Sequence, residues 1–239
     1  MEYTYAEMHF HTSETSKCGE VSAAESIPVF KKNGYDLVCI TDHFNERYFS
    51  PDCDKKEVWA KEIEEWMAGW YAAREAAEKC GLTVIHGVEI QLKGHFCELL
   101  VYGLTEDDFR ENIRMFDMTV EELSEMAKRK GLFIAIAHPF RSSDRPDPRF
   151  YQGAEIYNRA EETRFTEGFD INHNRQAAEF AEQNGLIPLC GQDFHEWAHF
   201  IGFRTRFHGE VRDVKTMIEK LLAREFDLLL PNGVVVPAK

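Results

Sequence analysis

The chain has 239 residues, and its 28 Lys and Arg against 42 Asp and Glu leave a net charge of −14. The hydrophobic share of 44% is enough for a packed core and excludes a disordered chain. So acidic a chain is poorly suited to non-specific nucleic-acid or anionic-membrane binding, and no apolar run is long enough to span a bilayer.

Short apolar runs alternate with helical patterns along the chain. Glu7–His11 reads as the first strand. Ser22 then opens a helix, with Glu25 at capping-box spacing and a stop at Asn33-Gly34. After a strand at Leu37–Thr41, one long helix is predicted from Lys55 to Cys80. Trp59, Ile63, Trp66, Trp70, Ala73 and Ala77 form its apolar face, which reads as core packing, and Gly81 ends it. Strands follow at Thr83–Val88 and Leu99–Gly103. A helix opened by Thr119 and Glu122 closes at Gly131. Strands at Leu132–Ala137 and Ala154–Tyr157 precede a helix that starts at Asn172 or His173 and ends at Asn184-Gly185. The last strand, Ile187–Gly191, is followed by a helix from Asp213 to Arg224. The apolar tail from Leu228 to Val236 reads as a small hairpin that covers the barrel or a partner subunit. Near-continuously apolar strands alternating with helices predict an α/β fold with a parallel sheet. About seven strands without a linker favour a barrel in a single domain over residues 1–239, with an open sheet as the alternative that periodicity leaves.

The ten histidines concentrate at strand ends. His9 and His11 end the first strand, Asp42-His43 the second and Glu89 the third. His138-Pro139 follows the fifth, and Asp193-Phe194-His195 the last. In parallel barrels these ends converge on one rim. Residues two apart on a strand point the same way, so His9 and His11 can face one ion, as can Asp193 and His195. Taken singly, each residue has an ordinary reading as a turn, a cap or a loop side chain. Together they exceed what one tetrahedral ion needs, which predicts a cluster of two or three Mn²⁺, Fe²⁺ or Zn²⁺ ions. Asp42 should point away from His43 and orient a ligand.

Met8-His9-Phe10-His11-Thr12, Ile40-Thr41-Asp42-His43, Gly87-Val88-Glu89, Ala137-His138-Pro139-Phe140 and Gly191-Gln192-Asp193-Phe194-His195 occur in an order and spacing that resembles the polymerase and histidinol phosphatase (PHP) family. The resemblance runs from about residue 4 to 204, leaving a C-terminal helix and tail over 205–239. It implies a distorted (β/α)7 TIM-like barrel, a metal centre at the strand C-termini and phosphoester hydrolysis by a metal-activated water. It also implies His9, His11, His43, Glu89, His138, Asp193 and His195 as metal ligands, and His95, in Gly94-His95-Phe96, as a further one. Many members carry an aspartate in a Ser-Asp-Gly step where this chain has Ser16-Lys17-Cys18-Gly19. Cys18 is then a thiolate ligand or an inert buried thiol, and Glu14 is a possible substitute.

His43, Asp193 and His195 are the catalytic candidates. Arg141, Asn158 and Arg175 are expected to bind substrate at the rim, with Asn174 and Arg159 beside them. The expected substrate is a small phosphorylated metabolite or nucleotide. Two other readings are an amidohydrolase-like C–N hydrolase and a non-catalytic metal- or phosphate-binding domain. The six cysteines form no C-x-x-C pair, and the N-terminus has neither a basic nor an apolar leader region. Reduced thiols and a cytoplasmic location are expected.

Overall fold

The computed structural model describes residues 2–141, 146–159 and 172–238. Its first half contains β1 (Tyr3–Phe10), α1 (Ala23–Lys32), β2 (Leu37–Ile40), β3 (His43–Phe44), α2 (Lys56–Trp66), α3 (Ala68–Cys80), β4 (Thr83–Gln91), β5 (Glu98–Tyr102) and α4 (Glu106–Glu111). The remainder contains α5 (Val120–Lys130), β6 (Phe133–Ile136), β7 (Gly153–Asn158), α6 (Asn172–Asn184), β8 (Ile187–Gly191), β9 (Arg204–His208), α7 (Val214–Ala223), β10 (Phe226–Leu229) and β11 (Val235–Pro237). Both expected capping boxes form, Ser22 with Glu25 on α1 and Thr119 with Glu122 on α5. A third, Thr105 with Asp108, opens the short α4, which the sequence reading lacked.

One curled sheet carries the strands in the order β11-β10-β9-β1-β2-β4-β5-β6-β7-β8, with β3 beside β4. Strands β1, β2, β4, β6, β7 and β8 share one direction, so their C-terminal ends meet at one rim. β2 and β6 are buried along their whole length, as strands covered on both faces must be.

Three features depart from an evenly repeating parallel barrel. First, β5 is antiparallel to both β4 and β6. It returns from β4 through a turn at residues 92–97 with no intervening helix. Its N-terminal end therefore joins the rim formed by the C-terminal ends of its neighbours. Second, β9 runs antiparallel to the first half of β1, and the apolar tail adds β10 and β11 as a hairpin on its outer side. The tail thus extends the sheet. Third, the curl closes where the last half of β1 meets the segment after β8. His11 N donates to Phe194 O at 3.0 Å and Phe194 N to His9 O at 3.2 Å, making a single bridge.

The helix expected from Lys55 to Cys80 is broken at Met67 into α2 and α3. The Thr15 hydroxyl donates to Trp66 O at 2.8 Å and accepts from Gly69 N at 2.9 Å. It takes both groups out of the helical ladder, a recognised cause of kinks. The tryptophan face packs inward as expected: Trp59, Ile63 and Trp66 are buried, and Trp59 Nε1 donates to Phe109 O at 2.7 Å. No helix among the described residues is long and apolar enough to cross a membrane.

Candidate metal centre

The rim gathers His9 from β1, His11 just past its end, His43 from β3, Glu89 from β4, His138 after β6, and Asp193 and His195 after β8. The two strand-mates His9 and His11 aim their Nε2 atoms at one point, 3.0 Å apart. What their other nitrogens touch sets the protons. His9 Nδ1 lies 3.0 Å from Glu155 Oε1, an acceptor. His11 Nδ1 lies 3.1 Å from Ser16 Oγ, whose own proton goes to Asp42 Oδ1 at 2.7 Å. Both Nδ1 atoms therefore donate, which turns the two Nε2 atoms toward each other, each offering a lone pair when its ring is neutral. His195 follows the same rule, with its Nδ1 2.7 Å from the Asp193 carbonyl. This is how carboxylate or carbonyl partners fix metal-binding imidazoles.

Two carboxylates enter the same space. Glu89 Oε1 is 3.4 Å from His9 Nε2, and Asp193 Oδ1 is 3.3 Å from it. Glu89 Oε2 and Asp193 Oδ1 are buried and accept no hydrogen bond. Unpaired buried carboxylate oxygens are costly unless a cation satisfies them. Facing lone pairs and orphaned carboxylates together fit divalent cations. Three overlapping groups could hold one: His9, His11, Glu89 and Asp193; His11, His43 and His195; and His43, Glu89 and Glu98. Asp193 and His138 take φ values of 49° and 26°, left-handed backbone that non-glycine residues seldom adopt. The strain falls on two of the candidate ligands.

The charges of the cluster hold one another in place. Burial disfavours a charged His9, but Asp193, Glu155 and Glu89 outweigh it and keep its pKa well above the ordinary imidazole value. Burial also opposes ionisation of Glu89 and Asp193, yet the imidazoles around them hold both pKa values well below the carboxylate range. His195 is pushed down to about 3, first by burial and then by His11. At neutral pH the metal-free centre thus carries ionised carboxylates and a proton on His9, which an incoming cation must displace. Ion binding is expected to release protons and to weaken as pH falls. Titration calorimetry in buffers of different ionisation enthalpy checks this; a buffer-independent heat contradicts it.

Several expected residues stand elsewhere. His95 is turned from the cluster, with Nδ1 3.1 Å from the Cys97 carbonyl. Glu14 accepts from Ala23 N at the start of α1 and so caps a helix, which removes it as a substitute ligand. Cys18 is exposed, contrary to the expected buried thiol. Asp42 orients His11 through Ser16 and also binds Thr12. Arg141 reaches the centre, 2.8 Å from Asp193 Oδ2 and 3.7 Å from Glu98 Oε2. Asn158 is fully buried, and its amide donates to Glu155 and Asp193, a positioning contact where a substrate contact was expected. Arg175 lies on the exposed face of α6, paired with Glu179 at 2.9 Å.

Three important carboxylates were not anticipated. Glu98 opens β5 beside His43 and His138, at 3.7 and 3.6 Å. Glu155 holds His9 Nδ1 and also accepts from His138 N at 3.0 Å. Glu7 accepts from His9 N at 2.8 Å and Gln192 N at 2.9 Å, and burial pushes its pKa up to about 7. Glu7 and Glu155 each interrupt an apolar strand. That was the available signal, because a charge inside a buried run needs a partner.

Known proteins add an independent line of support. A two-domain protein from Bacteroides vulgatus containing a predicted PHP-like metal-dependent phosphoesterase superposes with a TM-score of 0.66 at 17% identity, over 95% of this chain and 65% of that one. PsfC from Pseudomonas syringae superposes with a TM-score of 0.61 at 19% identity, over 91% of this chain and 88% of its own. An amidohydrolase from Chromobacterium violaceum, with bound sulfate and no metal, gives a TM-score of 0.54 at 14% identity, over 95% and 98%. At these identities the likeness is one of fold. No protein of curated function matches the chain. The model of the PHP domain matches residues 7–228, nearly the whole chain and every strand end that carries a candidate ligand, so the chain belongs to the PHP domain family.

Proposed function

We propose that the protein is a metal-dependent phosphoesterase that hydrolyses a small phosphorylated metabolite or nucleotide. The observation that carries this reading is the pair of inward-facing Nε2 atoms 3.0 Å apart, with the buried oxygens Glu89 Oε2 and Asp193 Oδ1, which accept no hydrogen bond, beside them. Divalent ions held by His9, His11, His43, Glu89, His138, Asp193 and His195 would lower the pKa of a water and neutralise charge on phosphate oxygens.

The chain's own groups supply the rest. Glu155 and the Ser16–Asp42 pair hold His9 and His11 in the tautomers that point Nε2 inward. Arg141 brings a guanidinium to the edge of the centre, where it can grip phosphate oxygens. His43 and His195 are the cluster imidazoles that solvent reaches most, at 14% side-chain exposure each; as ligands their ion-facing nitrogens are occupied, so only one left without an ion would relay a proton to a leaving oxygen.

The test is metal content per chain, after purification without chelator or affinity tag, together with hydrolysis of a generic aryl phosphate before and after stripping. Two or three ions, with activity lost on stripping and restored by Mn²⁺ or Zn²⁺, support the reading. Turnover of amides or cyclic ureas in place of phosphoesters favours the C–N hydrolase, and bound metal with no turnover of any substrate favours a binding domain. Arg141→Met is expected to raise KM for the phosphoester roughly 10- to 100-fold, the cost of about 1.5–3 kcal/mol for a lost charged hydrogen bond, measured at saturating metal because Arg141 also braces Asp193. An unaltered KM removes Arg141 from substrate binding.

A further inference from the structure

We propose that Glu98, and not His95, completes a cation position with His43 and Glu89, with His138 beside it on Glu89 Oε1, and that this position favours Mn²⁺ or Fe²⁺ over Zn²⁺. The inference rests on the metal-dependent reading above and concerns which ligands build one part of that centre.

The direction of β5 puts Glu98 there. The strand is antiparallel to β4 and β6, so its first residue, paired with Gln91, lies at the rim. The two glutamates then reach the same pair of imidazoles. Glu89 places Oε2 2.8 Å from His43 Nδ1 and Oε1 2.8 Å from His138 Nε2. Glu98 places Oε1 3.7 Å from His43 Nδ1 and Oε2 3.6 Å from His138 Nε2. Two carboxylates therefore span two imidazoles, one oxygen toward each.

A second observation points to a ligand. Glu89 Oε2 has no side-chain exposure and accepts no hydrogen bond, although His43 Nδ1 is 2.8 Å away. That separation without hydrogen-bond geometry is what two donor atoms on a common cation show. His95 offers no competing arrangement. Its Nδ1 faces the Cys97 carbonyl, and it lines a shallow pocket with Arg47 and Lys93.

The consequence is chemical. A carboxylate in place of an imidazole adds an oxygen donor and a negative charge. Oxygen-rich sets suit Mn²⁺, and mixed sets of imidazole and carboxylate suit Fe²⁺.

The experiment titrates the metal-stripped chain with Mn²⁺, reading stoichiometry by calorimetry and free Mn²⁺ by electron paramagnetic resonance. Glu98→Gln keeps the side-chain shape and removes the charge. It is expected to bind one ion fewer, or its weakest-bound ion at least 10-fold more loosely, with the metal-free melting temperature little changed. His95→Ala is expected to match the parent chain. Glu98→His is expected to recover the lost ion with Zn²⁺ more readily than with Mn²⁺. Full stoichiometry and affinity in Glu98→Gln, or loss of an ion in His95→Ala, overturns the assignment while the metal-dependent reading stands. A parent chain that takes up no divalent ion overturns both.

Discussion

Asp193→Asn is expected to yield a folded chain that has lost ion binding at the His9–His11 position and all measurable phosphoester turnover. Asparagine is the informative substitution because residue 193 sits at φ 49°, which Asn tolerates and Ala resists. The change removes the charge that faces both His9 Nε2 and His11 Nε2, at 3.3 and 3.2 Å, and that also pairs with Arg141. Removing a group that merely orients a ligand costs roughly 10- to 100-fold in metal affinity or activity. Loss of the ligand itself is expected to exceed that. Metal content by mass spectrometry, alongside turnover and circular dichroism, decides the matter. A variant with parental metal content and activity would falsify the candidate centre.

The second large effect concerns packing. A Cβ on Gly191 would lie 2.5 Å from His9 Cβ and 2.7 Å from Glu155 Oε1. Neither neighbour is the loose end of an exposed side chain. His9 Cβ belongs to a fully buried strand residue, and Glu155 Oε1 holds the His9 ring. Gly191→Ala is therefore expected to cost about 1–3 kcal/mol or more by overpacking and to weaken ion binding at the same time. Gly81 supplies the contrast. It has φ +68° with nothing within 4 Å of an added Cβ, so Gly81→Ala meets backbone strain alone, about 1–2 kcal/mol. Urea unfolding of both variants, each with and without metal, separates the two effects. Only Gly191→Ala is expected to lose part of the stabilisation that metal confers; equal metal responses in the two contradict the clash with the centre.

The sequence was most readable where the determinants are local. Ser22 with Glu25, and Thr119 with Glu122, place helix starts because capping acts over three residues. The H-x-H of His9 and His11 reveals a shared direction because side chains alternate along a strand. Long-range effects were not readable. The break at Met67 depends on Thr15, which is distant in sequence and meets the helix only in the folded chain. The polarity of β5 was equally hidden, because a buried apolar run looks the same in either direction. The return of β5 to the rim sets Glu98 beside His43 and His138, whereas the family resemblance pointed to His95, three residues earlier. Arg175 stands near a helix start as expected, and its exposed side chain pairs with Glu179 one turn on, a contact set by helical phase.

The single bridge between Phe10 and Phe194 gives the centre a mechanical meaning as well as a chemical one. Most neighbouring strands in the sheet are laced along their length, whereas this seam is held by two backbone hydrogen bonds. His9 and His11 stand on one side of it, Asp193 and His195 on the other, so a cation among them acts as a fastener across the join. By mass action, an ion at one hundred times its Kd adds about 2.7 kcal/mol against unfolding. Depriving the cell of that ion would then loosen the sheet at its seam as well as disarm the site, and both effects would return together when the ion does.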